Sequence, residues 1–76
     1  MGGKATLITN GIRELRKKAG LSQQGLAEAV GATRQTVLAL EAARYAPSLE
    51  LAFRIAHVLG RRVDEVFHFT PDWEGR

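Results

Sequence analysis

The sequence predicts an all-α domain of five short helices, with a short strand near each end of the chain. Three observations carry that expectation. Apolar residues recur at helical spacing through most of residues 12–67. Glycines at 20, 31 and 60 interrupt these runs, and Ser22, Thr33 and Ser48 stand where helices would begin. The chain has 76 residues, 45% of them hydrophobic, which supports one thin core and no more. It therefore reads as a single domain over 1–76, with a core at 11–67 and short arms at 1–10 and 68–76.

In chain order, the first candidate element is the β-branched stretch ATLIT at 5–9, a strand or a frayed lead-in. Asn10 would cap a first helix over 11–19 that turns Ile12 and Leu15 inward and ends at Gly20. Arg13, Lys17 and Lys18 fall on its solvated side. Ser22 caps a second helix, Gln23–Val30, in which Leu26, Ala27 and Val30 are spaced for burial. Gly25 inside it should cost about 0.5–1 kcal/mol relative to alanine, and the sequence offers no compensation. Gly31 follows, where a helix end favours positive φ. Thr33 caps a third helix over 34–42, with Val37 and Leu40 as its buried stripe.

Pro47-Ser48 opens a fourth helix, with Leu51, Ile55, Ala56 and Leu59 inward and Phe53 and Val58 flanking them. A single turn, Val63–Val66, follows Gly60. It carries Asp64 and Glu65 near its N-terminus, where the helix dipole favours acids. Val63, Val66 and Phe67 close the core. The alternation FHFT at 67–70 reads as a strand, followed by Pro71 and an acidic tail bearing Trp73. An isolated strand needs a partner. Residues 5–9 supply the only candidate, within one subunit or across a dimer.

Leu21 to Glu41, LSQQGLAEAVGATRQTVLALE, is the centre of this plan. Two helices this short are unstable alone and must pack on each other and on the rest of the chain. The second leaves Arg34, Gln35, Thr36, Leu38 and Ala39 off its buried stripe. Arginine and glutamine at a helix N-terminus are the residue types that make bidentate contacts to guanine and adenine edges. This is a helix-turn-helix pattern with 34–42 as the recognition helix. The candidate base contacts are Thr33, Arg34, Gln35, Leu38 and Ala39. Gln23, at the start of the preceding helix, is placed to meet a phosphate oxygen with its amide and the local N–H groups, or else is a solvated glutamine. Thr36 and Arg44 complete the candidate phosphate contacts.

The run from Ile12 to Phe67, IRELRKKAGLSQQGLAEAVGATRQTVLALEAARYAPSLELAFRIAHVLG and then VDEVF, resembles the phage repressor and Cro-like helix-turn-helix proteins, the XRE family. That resemblance implies a five-helix lambda-repressor-like fold and sequence-specific double-stranded DNA binding by a prokaryotic or phage transcriptional regulator. It also implies that Arg16 pairs with Glu41 at the end of the recognition helix, and that Arg44 lies near the DNA backbone. Otherwise Arg44 is a solvated charge at a helix end. The family commonly has Asn-Gly where this chain has Ala42-Ala43. Alanine at positive φ costs roughly 1 kcal/mol or more, unless the loop differs. Tyr45 is expected to cover the core.

Charge agrees with a polyanionic partner. The net charge is +3, and residues 1–45 carry seven Lys/Arg against three acids, whereas 46–76 carry four against five. There is no cysteine, hence no disulfide or thiolate metal site. No apolar run approaches a membrane span, and the first ten residues lack a signal-peptide core. There is no phosphate-cradling loop, no metal-ligand spacing and no nucleophile–base cluster. His57 and His68 stand apart, so no enzyme, cofactor or metal is expected. No effector segment is apparent, so small-molecule sensing is not expected, and a cytoplasmic, nucleoid-associated location is. The alternative function is an antitoxin or other protein-interaction module on the same fold. Because one recognition helix covers few base pairs, the chain should act as a homodimer. Phe67, Phe69 and Trp73 of the C-terminal segment are the candidate interface.

Overall fold

The computed structural model describes residues 6–71, arranged as β1 (Ile8–Asn10), α1 (Ile12–Lys18), α2 (Gln23–Val30), α3 (Arg34–Glu41), α4 (Leu49–Leu59), α5 (Val63–Val66) and β2 (Phe67–Phe69). Ala5 and Trp73 lie outside the described residues. The five helices pack around Ile12, Leu26, Val37, Leu40, Ile55 and Val66, each at most 1% exposed. Leu15, Leu21, Val58, Val63 and Phe67 pack against this centre from the rim. Among the described residues no helix is long and apolar enough to cross a membrane.

Side-chain caps fix where α2, α3 and α4 begin. Ser22 Oγ accepts from the Gly25 N–H at 2.9 Å, Thr33 Oγ1 from Thr36 at 3.2 Å, and Ser48 Oγ from Leu51 at 3.1 Å. Each bond satisfies one donor that the helix itself leaves open. α1 is capped differently. Gly11 occupies the cap position without a side-chain bond, and Asn10, one residue earlier, accepts from the Ile12 N–H at 3.1 Å. Asn10 is the last residue of β1, so α1 is one residue shorter at each end than the apolar spacing suggests.

β1 and β2 pair antiparallel within one chain, Ile8 opposite Phe69, Thr9 opposite His68 and Asn10 opposite Phe67. The Thr70 N–H extends the pairing to the Leu7 carbonyl at 2.9 Å. Each strand thus has its partner within the same chain. Beside the strand pairing, the Gly11 N–H donates to the Val66 carbonyl at 2.9 Å. That ties the start of α1 to the end of α5.

α4 differs from its sequence reading in one respect. Ala52 is buried with Ile55, Ala56 and Leu59, while Leu51 is only half-buried. α4 packs on both α2 and α5; Leu51 packs against the core from its rim, and Ala52 is covered on the side of Val63 and Phe67. Phe53 is exposed rather than flanking the core. Tyr45 is also exposed, at 43%, and does not cover the core. At Gly25 a Cβ would stand 3.2 Å from Ser22 Oγ, a tight approach to the cap of α2, and in ordinary contact with Leu21 Cδ2 at 3.6 Å.

The end of α3 carries local strain. Ala43 has φ +56°, the only non-glycine positive φ among the described residues. Its N–H reaches the Leu40 carbonyl at 2.9 Å, and the Arg44 N–H reaches Ala39 at 3.0 Å, the double bond pattern that closes a helix through a left-handed residue. Alanine holds this geometry at a steric cost that glycine avoids, although glycine loses more entropy on folding. Ala43→Gly is therefore expected to raise stability by about 0.5–1 kcal/mol. A urea midpoint that stays level or falls would show that the turn carries no usable strain.

Candidate nucleic-acid interface

α3 is anchored along its inner side and open along its outer side. Val37 and Leu40 are buried in the core. The Asn10 amide donates to the Leu40 carbonyl at 2.8 Å, which holds the last turn of α3 against the start of α1. Glu41, the final residue of α3, is the centre of a polar cluster. Arg16 Nε donates to its Oε2 at 2.7 Å, and both side chains are 8% exposed. Arg16 Nη1 also donates to the Leu21 carbonyl at 2.9 Å, in the link between α1 and α2. Three helices thus converge on one carboxylate. The buried charges are paired and hydrogen-bonded, the condition under which such charges are tolerated.

Gln23 joins the same cluster. Its Nε2 donates to Glu41 Oε1 at 3.1 Å, so the side chain is anchored within the fold rather than wholly solvated. One amide N–H and the carbonyl remain for another partner. Nothing in the spacing of Gln23 and Glu41 along the chain reveals this bond, because it depends on how α2 packs on α3. The neighbouring Gln24 is taken up locally by Glu28, at 3.0 Å.

The outward residues differ in how committed they are. Arg34 and Gln35 are exposed, and neither makes a side-chain hydrogen bond or ion pair among the described residues. Leu38 is 36% exposed on the same helix. Ala39 and Thr36 are half-buried. Thr33 is exposed, but its hydroxyl caps α3 and lies 3.1 Å from that of Thr36, so what it can offer outward is chiefly its methyl group. Arg44 projects after the helix end and is exposed. Arg54, which the sequence did not single out, donates from Nη1 to the Val30 carbonyl at 3.2 Å and from Nη2 to Glu50 at 2.6 Å. It holds the end of α2 on α4. Only its Glu50 pairing, four residues apart on one helix, is visible as a spacing.

The distribution of ion pairs sharpens the charge asymmetry. Among the described residues Arg16, Arg54 and Arg62 are paired with acids, whereas Arg13, Lys17, Lys18, Arg34, Arg44 and Arg61 are not. All but one of those unpaired cations lie on α1, on α3 or in the loop after it. Most of the open positive charge among the described residues thus lies on α1, on α3 and in the loop after it.

Comparison with known proteins agrees with this geometry. A helix-turn-helix family model matches residues 12–66. An uncharacterized HTH-type transcriptional regulator of Methanothermobacter thermautotrophicus is 56% identical over 62 residues, covering 80% of this chain and 90% of that protein. The restriction-modification controller protein C.AhdI of Aeromonas hydrophila is similar in structure, with a TM-score of 0.67 and 35% identity, over 71% of this chain and 78% of the other. The P22 c2 repressor, solved in complex with a synthetic operator, gives a TM-score of 0.67 at 26% identity, over 70% and 80% of the two chains.

Proposed function

The chain belongs to the helix-turn-helix family, and on that premise we propose that it is a sequence-specific double-stranded DNA-binding transcriptional regulator that reads the major groove with α3. The observation that carries this reading is the contrast along α3. Its inner side is fixed by Asn10, Arg16, Gln23 and two core residues, while Arg34 and Gln35 at its first turn are exposed and uncommitted. A rigid helix with free bidentate donors at its N-terminal end is the arrangement that base-edge recognition requires. The names of the similar proteins, regulators and an operator-bound repressor, support it.

In this reading Arg34 and Gln35 read bases, with Leu38, Ala39 and the Thr33 methyl offering apolar contact to thymine methyl groups. Gln23, Thr36 and Arg44 touch phosphates and fix the register of α3 on the duplex. The protein works in the cytoplasm on the nucleoid, and no catalytic role is assigned to it. It binds as a homodimer through its C-terminal segment. Phe69 is 54% exposed there, Phe67 is half-buried against the core, and Trp73 lies outside the described residues. A protein-interaction module on the same fold, such as an antitoxin, is the second reading, and the exposure of Leu49 at 74% and Phe53 at 57% on α4 favours it.

Selection of binding sites from random duplex DNA by the purified protein tests both parts. The expected product is an inverted repeat with half-sites about 10 base pairs apart, centre to centre. Recovery of a lone half-site would remove the dimer. Absence of any enriched sequence would remove the DNA-reading function and leave the protein-interaction reading.

A further inference from the structure

We propose that Arg13 and Lys17, on the outer face of α1, form a second DNA-backbone contact beside the recognition helix, taking phosphodiester oxygens next to the one reached by Gln23. The inference rests on the DNA-binding reading above and adds a site to it. Arg13 and Lys17 are four residues apart, so they share one face of α1, about 6 Å apart along its axis. Both are exposed, and neither is paired with an acid among the described residues. From sequence alone they are ordinary solvated charges. Their position in the fold says otherwise.

The two cations line a shallow concavity together with Gln23, Leu38 and Ala42. α1, the first turn of α2 and the last turns of α3 therefore form one continuous surface. Leu38 is the exposed apolar residue of the recognition helix, and Gln23 is the candidate phosphate ligand. A duplex seated with its groove edge on Leu38 and a phosphate on Gln23 passes its flanking backbone across α1. Long side chains from positions 13 and 17 reach out over that path. Two carboxylates border the same region. Glu41 is committed to Arg16 and Gln23, and so does not neutralise the face. Glu14 lines the adjoining concavity with Arg13 and Lys17 yet forms an ion pair with neither. Lys18, one position on, lines neither concavity and serves as the comparison.

The test measures binding at a series of KCl concentrations for the wild type, for Arg13→Gln with Lys17→Gln, and for Lys18→Gln. Each protein is titrated with its selected site and with a scrambled duplex. Each neutralised phosphate contributes about 0.9 to the slope of log K against log salt, so the double variant should lose about 1.8 per protomer. Its affinity should fall on the order of tenfold at physiological salt, by the same factor on both duplexes, because phosphates carry no sequence information. Its thermal midpoint should match the wild type, and Lys18→Gln should keep the wild-type slope. An unchanged slope in the double variant would overturn the site while leaving DNA reading by α3 intact. An equal loss in Lys18→Gln would also overturn it, since the charge would then act diffusely. A wild type that binds neither duplex would overturn the function and this site together.

Discussion

Arg16→Ala is expected to lower stability by about 3–5 kcal/mol, the range found when one member of a buried ion pair is removed. The change strands Glu41, whose side chain is 8% exposed and would keep only the Gln23 amide as a partner. It also removes the donor to the Leu21 carbonyl, which lies in the link between α1 and α2. A domain this small holds a few kcal/mol of stability in total, so the variant should be largely unfolded at growth temperature. The pair as a whole need not be stabilising, because desolvating two charges offsets much of their attraction. Arg16→Met combined with Glu41→Leu should therefore recover much of the loss. Recovery should stay incomplete, since Gln23 then loses its acceptor. Urea unfolding followed by circular dichroism measures all three proteins. A loss below about 1 kcal/mol for Arg16→Ala would mean that the pair behaves as an exposed one despite its burial.

How much was legible in the sequence follows from the range of each interaction. The caps Ser22, Thr33 and Ser48 act on N–H groups three residues away, and all three form where the sequence places them. The helix-ending role of Gly31 and the strained Ala43 are likewise local, set by φ at a single residue. Interactions that cross the fold were harder to see. The Gln23–Glu41 bond, the Asn10–Leu40 bond and the Arg54–Val30 bond link residues 18, 30 and 24 positions apart, and each depends on how two helices settle against one another. The Arg16–Glu41 pair spans a similar distance, and only family resemblance made it visible beforehand. On α4 periodicity finds Ile55, Ala56 and Leu59 and the half-buried Leu51 and Val58, but it misses Ala52, whose burial depends on Val63 and Phe67 across the fold. The exposure of Tyr45 is not legible either, because an aromatic residue after a helix end can cover a core or stand in solvent, and nothing local distinguishes the two.

Arg34→Ala and Gln35→Ala should each lose about 1–3 kcal/mol of discrimination at particular base pairs, the value of one good bidentate contact. Both side chains stand at the first turn of α3 without an intramolecular partner, so neither must break a protein contact to reach a base. The fold should not suffer, because the anchors of α3 lie elsewhere, at Val37, Leu40 and Glu41. Gln23→Ala and Arg44→Ala should behave differently. They should weaken binding to all sequences by a similar factor, since a phosphate looks the same beneath every base. Gln23→Ala carries a further signature. It removes a donor from Glu41, so some loss of stability should accompany the loss of affinity, whereas Arg44→Ala should leave stability near the wild-type value. Footprinting and titration of the four variants against the selected site and its single-base changes separate these outcomes. An Arg34→Ala protein that keeps its full base preference at every position would show that α3 does not enter the groove by its N-terminal turn, whatever its affinity.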